Sequence, residues 1–253
     1  MTREQAISRL RAAGCVFAED EADVLIEAAA AGAPLPVLVE RRAAGEPLEQ
    51  VVGYADFCGV RVRLRPGVFV PRVRSELLVR LALAEIRPDA LVVDLCCGSG
   101  ALGLAVRHRA PGITLHAADV DPAAVACARD NLLANVHHGD LFGALPASLL
   151  GRIDLLLANV PYVATPHLPF LPAEARDHEP RTALDGGDDG LAVFREVAAG
   201  ARDWLAPGGV LISEISEAQA PVASTIADGN GLTAAVVTDD DLDARAILAR
   251  RPR

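Results

Sequence analysis

Apolar residues follow two different patterns along the chain, and the first pattern is confined to residues 1–45. There, short apolar stretches at helical spacing each end at a glycine, which predicts three helices. The first begins with a capping box formed by Thr2 and Gln5 and ends at Gly14. The second covers Glu19–Ala31 and the third Pro34–Ala44. Because helices this short are not stable alone, we expect residues 1–45 to form a helical N-terminal domain that packs on itself or on the rest of the chain.

Residues 46–88 show a different pattern and predict a linker made of a hairpin and a helix. Val60–Leu64 alternates apolar and basic residues, which is typical of a half-exposed strand. The whole stretch Gly45–Val70 favours a hairpin. Arg74–Arg87 then has the apolar spacing of an amphipathic helix.

From residue 89 to residue 253, strands alternate with helices. Continuous apolar runs predict buried strands at Leu91–Leu95, Ile113–Ala118, Ile153–Ala158 and Gly209–Ile215, and a closing strand pair at Leu232–Thr238 and Arg245–Ala249. Helices are predicted at Gly98–Arg109, Pro122–Ala134, Leu191–Leu205 and Glu217–Ala227. Repeated β-α units predict an α/β domain with a mostly parallel sheet that is covered on both faces.

Composition describes an acidic globular chain. The 253 residues are 51% hydrophobic and 23% charged, which argues against disorder. Lys and Arg number 24 and Asp and Glu number 34, so the net charge is −10 and no stable nucleic-acid binding through phosphate contacts is expected. The five cysteines show no C-x-x-C spacing, which favours reduced thiols, a cytoplasmic location and no metal site. The most apolar stretch, Ala28–Val39, is broken by glycine and proline, so no membrane span is expected.

One stretch is locally basic. Between Arg41 and Arg87, nine arginines stand against five acidic residues. Two interpretations are open: a solvated face, or a docking surface for an acidic or RNA-associated partner.

A glycine-rich loop follows the first predicted strand of the α/β domain. It runs from Asp94 to Gly100, and ligands bind at the carboxyl ends of strands in sheets of this kind. Gly98–Gly103 also matches the G-x-G-x-x-G pattern of dinucleotide-binding proteins. A carboxylate at Asp94 would repel a pyrophosphate but suits S-adenosylmethionine, which carries an ammonium and a sulfonium. Asp119, at the end of the next strand, can accept hydrogen bonds from both hydroxyls of a ribose, a role that both cofactors allow.

A third group of candidate cofactor residues would follow one more strand, between the helix Pro122–Ala134 and the strand Ile153–Ala158. Asp140 can accept a hydrogen bond from the exocyclic amino group of an adenine, while Leu141 or Phe142 packs on the ring.

The loop Asn159-Val160-Pro161-Tyr162 follows the strand Ile153–Ala158 and carries the candidate chemistry. It is similar to the N-P-P-Y loop of S-adenosylmethionine-dependent methyltransferases that act on planar or amide nitrogens. An amide nitrogen is a poor nucleophile because its lone pair is delocalised. The Asn159 side-chain oxygen and the Val160 carbonyl can accept its two N–H groups, while Pro161 stiffens the turn and Tyr162 packs on the amide.

The wider sequence resembles the HemK/PrmC-type protein-(glutamine-N5) methyltransferases, a class I S-adenosylmethionine-dependent family. The motifs that carry this resemblance are Gly45–Gly53, Phe57–Gly59, Val68–Arg72, Ala183–Leu191 and Pro207–Gly209 with Glu214-Ile215. The chain differs from the family at Val73–Glu76, where Pro-Glu-Thr-Glu is typical, and at Val160, where proline is usual. Cys96-Cys97 replaces a Gly-Thr-like pair, and the helical N-terminal part is shorter.

The resemblance implies a Rossmann-like, mostly parallel sheet of seven strands and methyl transfer to the side-chain amide of a protein glutamine. The implied substrate is the Gly-Gly-Gln loop of a peptide-chain release factor or another translation protein. Independently of the resemblance, we expect no membrane partner and a monomeric protein. Residues 159–162 would hold the glutamine. The implied cofactor contacts are Asp94, Cys96, Gly98, Ser99, Gly100, Asp119, Asp140, Leu141 and Asn159.

Three alternative functions stay open at this point. Adenine methyltransferases of nucleic acids share the loop chemistry, although the net charge weighs against them. A methyltransferase fold that has lost activity and acts as a binding partner is suggested by Val160 and the paired cysteines. A dinucleotide oxidoreductase fits the glycine pattern alone.

Overall fold

Three helices form the N-terminal part of the chain in the computed structural model, which describes residues 1–30, 32–133 and 135–253. They are α1 (Arg3–Ala12), α2 (Ala18–Ala29) and α3 (Leu35–Ala43). The predicted capping box is confirmed, because Thr2 and Gln5 bond reciprocally at the start of α1. The predicted end of the second helix, Ala31, lies outside the described residues. The three helices enclose a small apolar core of their own, which includes Leu10, Leu25, Leu38 and Val39.

The linker contains a fourth short helix that the sequence analysis missed. Helix α4 (Leu48–Val52) precedes the hairpin strands β1 (Tyr54–Phe57) and β2 (Val60–Arg63). The prediction of a hairpin over the whole of Gly45–Val70 was therefore wrong for residues 48–52. Two contacts explain the helix: Val51 is buried against the core of the N-terminal helices, and the Gln50 side chain donates to the Val68 carbonyl at 3.0 Å.

A 3-10 turn at Val73–Ser75 leads into helix α5 (Glu76–Glu85). The predicted amphipathic helix thus begins two residues later than expected, and the turn places Arg74 and Ser75 beside the sheet.

A seven-stranded sheet organises the rest of the chain, in the order β5-β4-β3-β6-β7-β9-β8. Its strands are β3 (Leu91–Leu95), β4 (Thr114–Asp119), β5 (Val136–His138), β6 (Ile153–Ala158), β7 (Leu205–Glu214), β8 (Thr233–Asp239) and β9 (Ala244–Arg250). Among the described strands of this sheet, β9 alone runs opposite to the others, so the predicted mostly parallel sheet and its closing strand pair are confirmed.

Helices cover both faces of this sheet. They are α5, α6 (Ala101–Arg109), α7 (Pro122–Leu132), α9 (Ala192–Trp204) and α10 (Ala220–Gly229). A short helix, α8 (Ala173–His178), lies in the segment between β6 and α9. Ala134, the predicted end of the helix that begins at Pro122, lies outside the described residues. Adjacent residues of β3 face opposite sides, with Val92 in one buried cluster and Val93 in the other. Burial on both faces is the reason that the central strands are continuous apolar runs.

The order of the strands identifies where a ligand can bind. Strand β3 lies between β4 and β6, so the chain adds strands on one side of β3 and then moves to the other side. A crevice opens at such a switch point, outside the carboxyl ends of the strands. Within the part of the chain that the structure describes, no helix is both long enough and apolar enough to cross a membrane.

The locally basic stretch is neutralised in the folded chain. Seven of its nine arginines form ion pairs, mostly with acidic residues from other parts of the sequence: Arg41, Arg42, Arg61, Arg65, Arg72, Arg74 and Arg80. This pairing favours the interpretation of the stretch as a solvated face rather than as a docking surface.

Arg42 joins the N-terminal helices to the α/β domain. Its side chain bonds Glu21 of α2 at 2.7 Å and Glu174 of α8 at 2.6 Å, and only 7% of Arg42 is exposed. We expect Arg42→Met to lower the free energy of unfolding by about 2–3 kcal/mol, because two carboxylates lose a partly buried partner. Urea unfolding measures the loss. Arg3→Met is the control, because the Arg3–Asp23 pair is exposed and contributes little. Equal losses in the two variants would contradict the assigned role of Arg42.

Candidate active site

A cavity of about 390 Å³ opens at the carboxyl ends of β3, β4 and β6. Its wall combines the glycine loop, the ends of β4 and β6, the linker around Phe69–Ser75 and the segment around α8. Of the twelve candidate cofactor and catalytic residues, ten lie on this wall: Cys96, Gly98, Ser99, Asp119, Asp140, Leu141, Asn159, Val160, Pro161 and Tyr162. Residues that were chosen from four separate segments therefore meet at one cavity.

The glycine loop turns sharply between β3 and α6. Gly100 has φ of +77° and begins α6, and a Cβ there would lie 2.9 Å from a methyl carbon of Leu132 in α7. Cys96 has φ of +57°, a left-handed conformation that is unfavourable for a residue with a side chain. Gly100 itself is not on the cavity wall, so its contribution is to let α6 and α7 approach each other.

Asp119 closes the loop from the end of β4. One carboxylate oxygen accepts from the Gly98 backbone amide at 2.8 Å, and the other accepts from the Asp121 amide at 2.9 Å. Burial raises the pKa of Asp119, while these amides oppose the rise. Each oxygen keeps a second lone pair, so the carboxylate can still accept from the hydroxyls of a bound diol.

Asp94, near the end of β3, connects the glycine loop to helix α6. It is 1% exposed, and one oxygen accepts from the Gly103 backbone amide at 2.9 Å. Its other oxygen is buried and has no partner among the described residues. Burial raises the pKa of Asp94 to about 7, with Asp119 adding to the rise. Asp94 is not on the cavity wall, so its charge lies behind the loop rather than against a ligand.

The raised pKa of Asp94 predicts a pH-dependent stability. Between the usual carboxyl pKa of about 4 and about 7, the folded chain holds a proton that the unfolded chain has released. Stability from this group is therefore full below about pH 4 and is lost as the pH rises to about 7. Asp94→Asn keeps an acceptor for Gly103 without a charge, so its unfolding free energy should fall less between pH 5 and pH 8. Equal pH dependence in the variant and in the unmodified chain would overturn this assignment.

Two residues of the segment after β5 were alternatives for packing on an adenine. Leu141 lies on the cavity wall beside Asp140. Phe142 stacks instead on Trp204 of α9, with ring centroids 5.5 Å apart. Leu141 is therefore the residue placed to contact a planar ring in the cavity.

The loop after β6 places a buried hydrogen-bond acceptor beside the cavity. The Asn159 side-chain nitrogen donates to the Ser75 hydroxyl at 3.2 Å, whereas the Asn159 oxygen is buried and has no partner among the described residues. Val160 is 2% exposed and fills an apolar site in the core, which accounts for an aliphatic residue there. The Tyr162 hydroxyl donates to Glu214 at 2.7 Å, and burial raises the pKa of Tyr162.

The segment Ala183–Leu191 supports this loop from behind. Glycine is required at two positions: a Cβ on Gly186 would lie 2.6 Å from the Pro161 carbonyl, and one on Gly190 would overlap the Tyr162 carbonyl. Gln219, which precedes α10, donates through its side chain to the same Tyr162 carbonyl at 2.9 Å. The backbone of the loop is therefore fixed by close packing and hydrogen bonds.

The sequence motifs included the polar residues behind Asn159 but indicated no role for them in the site. Ser75, Arg74 and Glu214 contact Asn159 or Tyr162 directly or through one another. One signal was available: Glu214 ends an apolar strand run, and a carboxylate that is 3% exposed is unusual without a specific partner. No cluster of three or more metal-ligating side chains occurs among the residues that the structure describes.

The sheet order, the glycine loop and the Asn-x-Pro-Tyr loop together define a methyltransferase domain. A family model described as a methyltransferase small domain matches residues 59–169. The chain belongs to the release factor glutamine methyltransferase family. It is 38% identical over 217 residues to the enzyme of that name from Mycolicibacterium smegmatis. The aligned residues cover 81% of this chain and 72% of that relative.

Two further comparisons define how far the likeness extends. The release factor glutamine methyltransferase of Streptomyces coelicolor is 36% identical over 179 residues, which cover 68% of this chain. This chain spans 63% of that relative's length. A crystal structure of a methyltransferase from Pyrococcus furiosus superposes with a TM-score of 0.57 at 16% identity, covering 77% of this chain and 90% of the other. That structure supports the fold.

Proposed function

We propose that this chain is an S-adenosylmethionine-dependent methyltransferase that acts on the side-chain amide of a glutamine in a peptide-chain release factor. The observation that carries the proposal is the buried Asn159 oxygen, an acceptor without a partner among the described residues, beside the cavity. Family membership supports the same substrate, because the relatives in Mycolicibacterium and Streptomyces are named for it.

An amide substrate suits this acceptor. The Asn159 oxygen can accept one N–H of the glutamine amide, and the Val160 carbonyl can accept the other. Holding both N–H groups orients the nitrogen rather than the oxygen toward the methyl donor. Tyr162 lines the same wall and can pack on the flat amide. Positioning and fixed dipoles then supply most of the rate enhancement.

The cavity also fits the proposed cofactor. Asp119 would hold a ribose, Asp140 and Leu141 would hold an adenine, and the backbone of Gly98 and Ser99 allows close approach. We assign Cys96, Gly100 and Asp94 to shaping this loop around the cofactor. When bound, S-adenosylmethionine supplies an electrophilic methyl group on a sulfonium. No general base is required, because a methylated amide releases its extra proton readily to water.

The remaining parts of the chain are assigned to the protein substrate. We propose that residues 1–45 form a docking domain, that residues 46–88 link it to the site, and that residues 89–253 form the catalytic domain. The Arg42–Glu174 ion pair supports this division, because it fixes the helical part next to α8, and α8 lines the cavity.

A competition assay tests the reaction class. The chain is incubated with tritiated S-adenosylmethionine and a mixture of purified release factor, ribosomal proteins, transfer RNA and DNA. We expect label in the release factor. Label in nucleic acid alone would overturn the proposal in favour of an adenine methyltransferase. Label in a ribosomal protein alone would retain protein methylation but overturn the release-factor assignment.

A further inference from the structure

A chain of hydrogen bonds runs from Asn159 into the protein interior. The Asn159 nitrogen lies 3.2 Å from the Ser75 hydroxyl oxygen, which lies 2.6 Å from one oxygen of Glu214. The other Glu214 oxygen accepts from the Tyr162 hydroxyl at 2.7 Å and lies 3.1 Å from the Arg74 guanidinium. Ser75 and Glu214 are 2% and 3% exposed, so water does not compete for these bonds.

The direction of these hydrogen bonds is fixed by chemistry. Glu214 is paired with Arg74, and an ionised carboxylate can only accept. Ser75 has a single hydroxyl proton, which it must donate to Glu214. The Ser75 oxygen can then only accept from Asn159. The Asn159 nitrogen therefore faces Ser75, and the Asn159 oxygen faces away from it.

We infer that Ser75 and Glu214 are positioning residues that set the orientation of the Asn159 amide, and through it the selection of a glutamine amide by the site. This inference rests on the proposed function. An Asn159 oxygen that is turned toward the substrate accepts an N–H, so it favours glutamine. If a glutamate of the substrate took the place of the glutamine, its carboxylate oxygen would face the Asn159 oxygen. Two acceptors would then be in contact with no proton between them, which is unfavourable.

Glu214→Gln should reverse the direction of the two hydrogen bonds that join residue 214, Ser75 and Asn159. Arg74 and Tyr162 both donate to one oxygen of residue 214, so the glutamine oxygen must stay on that side. The new NH₂ group then faces Ser75 and donates to it. Ser75 must give its own proton to the Asn159 oxygen, which turns the Asn159 NH₂ toward the substrate nitrogen. We expect glutamine turnover to fall about 30- to 100-fold, because a donor replaces the required acceptor.

Ser75→Ala should have a smaller effect. Without the hydroxyl, Asn159 is no longer held in either orientation, and turnover should fall about tenfold. The double variant Ser75→Ala with Glu214→Gln should also lose only about tenfold, because Ser75 no longer transmits the reversal. The double variant is thus expected to be more active than Glu214→Gln alone. Ser75→Thr keeps the hydroxyl and should retain turnover within about threefold of the unmodified chain.

The matched control is Ser213→Ala. Ser213 is a buried serine of the neighbouring strand β7 that donates to the Ala158 carbonyl and does not contact the Asn159 side chain. It should keep near-normal turnover. Equilibrium binding of S-adenosylmethionine should change by less than about threefold in every variant, so the larger losses should appear in kcat. Multiplicative losses for Ser75→Ala and Glu214→Gln would overturn the inference, because independent structural damage combines in that way.

Nuclear magnetic resonance gives a readout that needs no substrate. The side-chain NH₂ signal of Asn159, assigned by its loss in Asn159→Ala, should exchange slowly in the unmodified chain and in Ser75→Thr. It should exchange rapidly in Glu214→Gln, where the NH₂ group faces the cavity. Unchanged slow exchange in Glu214→Gln would overturn the inference. If the unmodified chain labels no release factor, the proposed function fails, and the exchange result still decides the orientation of Asn159.

Discussion

Replacing Asn159 with alanine is expected to lower the turnover of release-factor methylation by about 100-fold or more, as is typical when one preorganised polar contact to the reacting group is lost. The Asn159 oxygen is buried beside the cavity and has no partner among the described residues, so the substitution removes the acceptor that we assign to the glutamine amide. Among the described residues the side chain donates one hydrogen bond, to Ser75, so the fold should tolerate its removal. Single-turnover kinetics with saturating cofactor measure the effect on the chemical step.

Asn230→Ala is the control for this experiment. Asn230 lies at the end of α10, and among the described residues its side chain bonds its own helix, at the Ile226 carbonyl. It should retain the turnover of the unmodified chain. Near-normal turnover in Asn159→Ala would show that the loop does not hold the substrate through this side chain, and the assigned role would have to be abandoned.

Gly190→Ala is expected to damage the catalytic loop without touching the substrate. A Cβ at this position would overlap the Tyr162 carbonyl and the Gln219 side-chain nitrogen. Gly67→Ala is a matched control, because Gly67 has the same φ of +74° and no atom within 4 Å of its added Cβ. Both variants carry the cost of a left-handed residue, about 1 kcal/mol.

The difference between the two variants isolates the close contact. We expect Gly190→Ala to lose about 2–3 kcal/mol more unfolding free energy than Gly67→Ala, which is the usual cost of inserting a carbon into a packed site. Turnover should fall at least about tenfold in Gly190→Ala, because displacing the Tyr162 carbonyl moves the whole loop. Urea unfolding and kinetics measure the two effects. Equal unfolding free energies and equal turnover in the two variants would contradict this prediction, because they would mean that the loop accommodates the added carbon without loss of stability or activity.

The parts of the site that follow directly from strand ends could be predicted from the sequence. Asn159 comes directly after the buried strand β6, Gly98 comes three residues after the end of β3, and parallel strands bring their carboxyl ends to one edge. The side to which a side chain points was harder to predict than the place of the residue in the fold. Asp94 precedes the same loop, yet its side chain lies behind the loop, because the strand alternation that buries Val92 also buries Asp94.

Long-range contacts could not be predicted. Ser75 and Glu214 are separated by 139 residues and meet only because α5 packs beside β6 and β7. No local pattern encodes such a meeting. The short helix α4 was missed for a related reason: Val51 completes the core of the N-terminal helices, and this tertiary contact outweighs the strand preference of two adjacent valines.

Peptide mass spectrometry of a release factor after incubation with this chain and S-adenosylmethionine tests the proposed reaction directly. We expect a gain of one methyl group on the glutamine of the Gly-Gly-Gln loop, located on the side-chain nitrogen. A release factor in which that glutamine is replaced by glutamate should gain none. Methylation at another residue, or equal methylation of the glutamate form, would contradict the claim that Asn159 selects a glutamine amide.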